Sequence, residues 1–538
     1  MKSNRRAAAL ALFLAAAAYL PRLSAPFMWD DRPFIVNVAA FDRPIPLAAY
    51  FSPSYFGLTG ELTWRPLATL SYAVGTRVFG RRPLPLRLTM FALHLLNCLL
   101  LGLLVASAGL GSGVGLAAAA LFLIHPAHVE TVMTVTFNKE ILATLGILAM
   151  LLAHRRGRPW LAAAAFAFAL LPKETGVLGL PLALMLDFST GGRGELERRW
   201  KDYSLYSAVA AIYLYFRFGP MKGPGGEANL SAALPWSERL YYAAHGFASS
   251  VRVLFFPWRL RIEYFALPAA SLYEYAFRLA AAASILVFVV ALARRSWKKE
   301  PALSFFLLWP LPVLFLTSNV FPTAVLSLRL MSERWLYLPA AGFAVAVAYA
   351  LRKRPIALNC VVIFWGALLF VRLQDWRSET RLWQSLVDIY PWSAKANEGL
   401  GEALFRAGRA PEAEAAFRKG LALRASREDL VLAHYVPVAP PGTIAWESAP
   451  LYRELALCRL RLNDDRGAED FFIKAAALQP GDVFSRRALA YLFARGGDFV
   501  SARTWLEQGL ALDARDGFLL RLEPDIERRR LTFQARFD

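Results

Sequence analysis

Cysteine is scarce in this chain: Cys98, Cys360 and Cys458 are the only three in 538 residues, and they stand far apart. Two of them fall inside apolar runs, so the pattern carries neither a disulfide framework nor a cysteine-based metal site. Charge is thin as well, at 19% Asp, Glu, Lys and Arg, where soluble domains carry about a quarter. Acids are the scarcer sign, 41 against 61 bases, which leaves a formal charge of +20. That excess does not describe a nucleic-acid surface. Most of it lies in short clusters between apolar runs, where Lys and Arg orient a membrane protein. No Gly-rich phosphate loop of the nucleotide-binding kind is present.

What the chain has in abundance is apolar length. It is 57% apolar, above the usual half, and runs such as Ala7–Leu20, Leu86–Gly109 and Ile356–Val371 approach or reach the length of a bilayer span. After about Tyr390 there are none. Lys2, Arg5 and Arg6 ahead of an Ala/Leu run resemble a secretory signal, but Leu20-Pro21-Arg22 follows instead of a small-residue cleavage site, and the run reads as the first anchored span. Eleven spans are expected, at 7–25, 85–108, 113–129, 134–153, 159–173, 175–190, 203–219, 274–293, 302–319, 335–351 and 355–373. This count places every basic cluster (Lys2/Arg5/Arg6, Arg155/Arg156/Arg158, Arg193/Arg198/Arg199/Lys201, Arg294/Arg295/Lys298/Lys299, Arg352/Lys353/Arg354) on the cytoplasmic side. It requires 26–84 and 220–273 to be outer loops, the second holding an interfacial amphipathic helix with Trp236, Tyr241, Tyr242 and Trp258 at headgroup depth. An odd count leaves the N-terminus inside and the C-terminal part outside.

Beyond the last span the sequence repeats itself every 34 residues. Aligning 449–482 with 483–516 matches Leu455 to Leu489, Ala456 to Ala490, Ala468 to Ala502, Phe472 to Leu506 and Ala475 to Gly509. A copy at 394–427 supplies Leu400, Gly401, Gly408, Ala413, Phe417 and Gly420 at the same offsets. Small residues where two helices cross, with large ones beside them, is the tetratricopeptide pattern. A 21-residue insert, 428–448, with Pro437, Pro440, Pro441 and Gly442, reads as a loop, and a half-repeat around Trp383–Pro391 joins the array to the last span. The expected fold is therefore all-α: a polytopic membrane helix bundle over 1–375, then a short tetratricopeptide-repeat α-solenoid over 376–538. The concave face of such an array binds a peptide or a partner protein, or the array is a cap without a ligand.

Ionisable residues at span ends are costly and tend to be functional, and five groups are expected on the outer side. Asp30-Asp31 after the first span can bind a divalent cation, or one can be a general base that the other orients. His125-Pro126-Ala127-His128-Val129-Glu130 can supply metal ligands or an acid/base pair, or simply end a helix. Asn138-Lys139-Glu140, Lys173-Glu174-Thr175-Gly176 and Ser332-Glu333-Arg334, with Arg329 just before the last, each set a cation beside a carboxylate. A phosphate at headgroup level needs such cations, and the neighbouring acid balances the empty site. The competing reading of each is a snorkelling base with a local ion pair.

Taken in order, Asp30-Asp31, Arg65-Pro66-Leu67, His94 to Asn97, His125 to Glu130, Lys173-Glu174-Thr175-Gly176 and Glu333-Arg334-Trp335-Leu336-Tyr337-Leu338-Pro339, followed by the repeats, resemble the transmembrane and tetratricopeptide-repeat O-mannosyltransferases and their prokaryotic relatives. The chain departs from them in its few repeats and in Asn138-Lys139, where Gly-Arg is expected. The resemblance implies the type C glycosyltransferase fold, an essential acid in the first outer loop and a polyprenyl-phosphate sugar donor. On that basis a sugar, mannose or another hexose, passes with inversion to a protein or glycan hydroxyl on the extracytoplasmic face. Asp30 or Asp31 takes the acceptor proton. Lys173, Arg334, and Arg329 or Lys139, hold the donor phosphate, with Glu140, Glu174, Glu333 and His125 in support. His128 and Glu130 orient the acceptor or complete a site for Mg, Mn or Zn with Asp30 and Asp31. A non-enzymatic scaffold that recruits partners through its repeats is the alternative. The Ala- and Arg-rich composition points to a bacterial plasma membrane with the repeats in the periplasm.

Overall fold

A computed structural model of the chain describes residues 2–223, 235–265, 271–318, 320, 329–425, 448–532, 534, 535 and 537. It is helical nearly throughout and divides into two compact units, Met1–Ser378 and Glu379–Asp538. The insert at 428–447 lies outside the described residues.

Every expected span coincides with a helix in the first unit, from Lys2–Tyr19 through Pro83–Val105, Ser112–Ile124, Asn138–Arg155, Pro159–Leu170, Gly179–Arg198, Trp200–Phe218 and Leu272–Trp297 to Tyr337–Ala350 and Pro355–Asp375, with Pro301–Leu308 and Pro310–Leu316 as two pieces of one. The count of eleven does not stand, however. Among the described residues four stretches are long and apolar enough to cross a membrane: Pro83–Leu110, Val135–Arg155, Leu272–Trp297 and Pro355–Asp375. Ser112–Ile124 with Pro126–Met133, bent by 55°, makes a fifth if it is one span. Some of the other helices, such as Lys2–Tyr19 and Gly179–Arg198, are long enough but carry too many charged residues, and the rest are too short. At 1.5 Å per residue, the 12 residues of Pro159–Leu170 or the 14 of Tyr337–Ala350 reach only about 20 Å, short of a hydrocarbon core of about 30 Å.

The first outer loop is itself structured. Ser54–Thr59 and Pro66–Phe79 are helices, and a core of Phe27, Ile35, Val38, Phe41, Ala68, Tyr72, Leu86 and Val135 ties the loop to the helices beneath it. In the second loop the amphipathic helix is present as Trp236–Phe255. Trp236 and Trp258 are exposed, whereas Tyr241 and Tyr242 are buried against protein. A two-stranded antiparallel pair, Tyr264–Phe265 with Arg329–Met331, is set beside that helix.

In the second unit the helices Ala449–Arg461 and Asp465–Leu478 recur 34 residues later as Val483–Arg495 and Phe499–Leu512. Ala394–Arg406 and Ala410–Ala425 form the earlier pair. Ser393, Asp464, Asp482 and Asp498 cap helix starts with side-chain oxygens, which satisfies amide groups that a helix cannot. The matched residues Leu455, Ala456, Ala468, Phe472, Ala475, Leu489, Ala490, Ala502 and Leu506 are all buried. A Cβ on Gly401 would stand 2.6 Å from the Phe417 ring, so the small residue sets how closely the pair crosses. The half-repeat is the helix Glu379–Val387, whose Trp383 packs on Gly399.

Candidate functional site

The site is built where the loop after the first helix meets the ends of buried segments around Phe137, Lys173 and Arg334. Trp29 adopts a left-handed backbone, φ 51°, uncommon for a bulky residue and a mark of constraint. The turn it makes sends the two adjacent aspartates to different surroundings. Asp31 is fully buried, and its Oδ1 accepts from the Thr136 amide at 3.0 Å and hydroxyl at 3.2 Å. Its Oδ2 is 3.9 Å from the Arg87 guanidinium. Arg87 also donates to the carbonyls of Met133 at 2.7 Å and Pro26 at 2.9 Å, pinning the loop to the helix ends. Burial pushes the Asp31 carboxyl up to about 6, against the pull of Arg87 and the Thr136 bonds. Asp30, half-buried, has no hydrogen bond or ion pair among the described residues.

Beside it the cations gather on one ring. Arg334 lies 4.3 Å from the centre of Phe137 and Lys139 5.6 Å from it. Trp29 meets Phe137 edge-on at 5.5 Å and itself sits 5.6 Å from Arg334. Arg334 is aimed by Glu130: its guanidinium donates to Oε1 at 2.5 Å and its amide to Oε2 at 3.0 Å. Ser332 adds a hydroxyl at 3.3 Å. On the other side Arg65 donates to Glu174 at 3.2 Å, and Arg217 stands 3.6 Å from the same carboxylate. Burial alone would raise Glu174, but Arg65, followed by Arg217 and Lys173, outweighs it and holds the carboxyl at about 2. Lys173 is buried and donates to Glu140. The turn that carries Lys173 and Glu174 fits because Gly176 has no Cβ; one there would overlap the Ala169 carbonyl.

Glu61 joins this group without having been singled out by the sequence. It follows Gly60, whose φ of 69° turns the chain, and it is buried, with its charge felt by Lys139, Arg65, Asp30 and Glu174. Burial pushes its carboxyl up despite Lys139 and Arg65. The signal was there in outline: Glu61 and Arg65 repeat, four residues apart, the acid-beside-cation pairing seen in the other clusters.

Several expected members are elsewhere. His128 is buried with its Nδ1 on the Phe122 carbonyl at 2.8 Å and its ring among Phe122, His94, Tyr337 and His125. His125 bonds the Leu254 carbonyl at 3.1 Å and packs on Trp365. Both histidines thus belong to an aromatic interior. Glu130 is consumed by Arg334. Among the described residues no three of His, Cys, Asp and Glu stand together as metal ligands, so Asp30, Asp31, His128 and Glu130 do not form the expected divalent site. Glu333 turns to the strand pair and the last long helix, accepting from Tyr264 at 3.0 Å and Arg372 at 3.1 Å. The Arg329 side chain lies outside the described residues; its backbone is in the short strand.

The chain is 24% identical over 434 residues to a protein O-mannosyl-transferase of Caenorhabditis elegans, a match covering 76% of this chain and 61% of that one. It is 23% identical to the protein O-mannosyl-transferase TMTC4 of Mus musculus, over 70% of this chain and 61% of the relative. To Tmtc1 of Drosophila melanogaster it is 30% identical over 39% of this chain and 28% of the relative. The chain is a homologue of these O-mannosyl-transferases. It spans about three fifths of the length of the first of them, and all three are eukaryotic. No protein-family model matches the chain. Among solved structures, the APC/C hetero-tetramer Cut9-Hcn1 aligns with 88% of this chain and 91% of its own, at 14% identity and a TM-score of 0.25, too low to bear on the fold.

Proposed function

We propose that this protein is a membrane glycosyltransferase of the type C class that moves a sugar, mannose or another hexose, from a polyprenyl phosphate to a hydroxyl of a protein or glycan on the extracytoplasmic face. The observation that carries this reading is Asp30, a carboxylate with no hydrogen bond or ion pair among the described residues, beside Trp29 in the chain and within reach of the Lys139 charge. A base must be free to accept a proton, and a departing phosphate needs fixed cations. In the proposed step the acceptor hydroxyl attacks the anomeric carbon while its proton passes to Asp30. The carbon–oxygen bond to the phosphate breaks, and the polyprenyl phosphate leaves with its charge held by Arg334, Lys139 and Arg65. Attack opposite the leaving group inverts the anomeric centre. Lys173, already bonded to Glu140, shapes the cationic wall, and Asp31 braces the loop. The relatives' printed activity, O-mannosyl transfer, supports the same class of reaction. The face is open to a direct test: a reporter fused after Asp375 should read external.

The test is transfer by the purified full chain from a panel of polyprenyl-phosphate sugars. Asp30→Asn should lower transfer about 10²–10⁴-fold at unchanged levels of folded protein, while Asp31→Asn should mainly cost stability. Near wild-type transfer by Asp30→Asn would overturn the assignment. If the intact chain transfers no sugar from any donor but still recruits proteins through its repeats, it is a scaffold instead.

A further inference from the structure

The repeat unit carries an aromatic cleft for which the transfer reaction has no use. Helix Gly517–Glu527 begins 34 residues after Val483–Arg495, so the two hold the same place in successive repeats. Spacing of seven and four puts Phe484, Tyr491 and Arg495 on one face of the earlier helix. Tyr491 meets Phe518 of the later helix at 6.3 Å, and Arg495 stands 5.6 Å from the Tyr491 ring. First helices of successive repeats line the concave, ligand-binding side of such arrays.

The chain itself runs across this cleft. Beyond Glu527, Thr532 bonds Asp525 through its amide at 2.7 Å and its hydroxyl at 2.7 Å. The Ala535 amide then donates to the Tyr491 hydroxyl at 3.0 Å. Phe537 sits 5.6 Å from both Tyr491 and Phe518, and 6.0 Å from Phe484. A non-helical segment held by one backbone bond and one aromatic anchor is how peptides bind folded domains.

We propose that the Phe484–Tyr491–Phe518 cleft is a docking site for an extended protein segment with an aromatic side chain two residues beyond an amide that meets Tyr491, and that Ala535 and Phe537 fill it in cis. The internal segment competes at the millimolar effective concentration of a short tether, so an outside segment must displace it. This does not depend on the transfer chemistry and can fail independently of it.

The probe is a fluorescent peptide of residues 529–538, added to the full chain in detergent. Phe537→Ala in the chain should bind it at least 10-fold more tightly than wild type, because the competing anchor is gone. Thr532→Ala, which loosens only the attachment at Asp525, should give a smaller gain in the same direction. Adding Tyr491→Ala to Phe537→Ala should abolish binding, and a probe carrying Ala in place of its phenylalanine at 537 should not bind. If neither single variant takes up more probe than wild type, or the Tyr491 change has no effect, the segment is a fixed cap on the last repeat and the proposal is wrong.

Discussion

Arg334 and Glu130 lie 204 residues apart and meet twice, guanidinium to Oε1 and backbone amide to Oε2. One carboxylate therefore fixes both where the cation's side chain points and how the chain enters the helix Tyr337–Ala350. Both residues are buried. Removing one member of a buried ion pair costs about 3–5 kcal/mol, because the other charge is left uncompensated. Glu130→Ala should accordingly lower the thermal midpoint sharply and abolish transfer together with the loss of folded protein. Full stability in Glu130→Ala, measured by melting in detergent, would show that the pair is not formed.

Lys173 and Glu140 form a second buried pair. Lys173→Ala strands Glu140 and should destabilise the first unit by a similar 3–5 kcal/mol, while a joint change to Met and Leu should recover most of that. A Lys173→Ala chain that melts like wild type but binds donor poorly would instead make Lys173 a direct phosphate ligand.

Glu61 is predicted to act through its neighbours. Glu61→Gln keeps the shape and removes a buried charge that both Lys139 and Arg65 feel, leaving Arg65 to Glu174 and Lys139 to Asp30. Stability should hold or rise, and kcat/KM should fall by roughly 10-fold or more, as mispositioned catalytic groups commonly cost up to about 10². Unchanged kcat/KM at unchanged KM would remove Glu61 from the site.

Asp31 gives a pH dependence whose sign is fixed. Its carboxyl is raised from 3.8 to about 6 in the folded chain, so the folded state holds the proton more tightly than the unfolded one. Stability from this group is fully present below pH 4 and is lost as pH rises through 6. Relative to Asp31→Asn, wild type should therefore lose stability between about pH 4 and 6 and run parallel above. Parallel melting curves throughout that window would show an unperturbed carboxyl.

Local chemistry made much of this protein legible in its sequence. Apolar runs located the helices, because an apolar stretch and its flanking bases need no distant partner to be recognised. The 34-residue period located the repeats, since each copy repeats its own crossing residues, such as Ala468 and Ala502, and its own caps. The acid-beside-cation clusters named Lys139, Glu140, Lys173, Glu174 and Arg334, but not Glu61. Span number was misread because an apolar run is not yet an unbroken, uniformly apolar helix: proline at 310 splits one stretch and Tyr337–Ala350 is short, whereas Gly179–Arg198 is long enough but ends in charged residues.

What only tertiary structure decided was which of those charges are already spent. Nothing local distinguishes Asp30 from Asp31; the difference is made by Arg87 and by Thr136, 105 residues downstream of Asp31. His128 looked like a ligand until Phe122, His94 and Tyr337 enclosed it, and Lys173 looked free until Glu140 reached it. In each case the deciding partner is distant in sequence, so the sequence could name the ionisable groups but only the packing of the chain could leave one of them, Asp30, with no hydrogen bond or ion pair among the described residues.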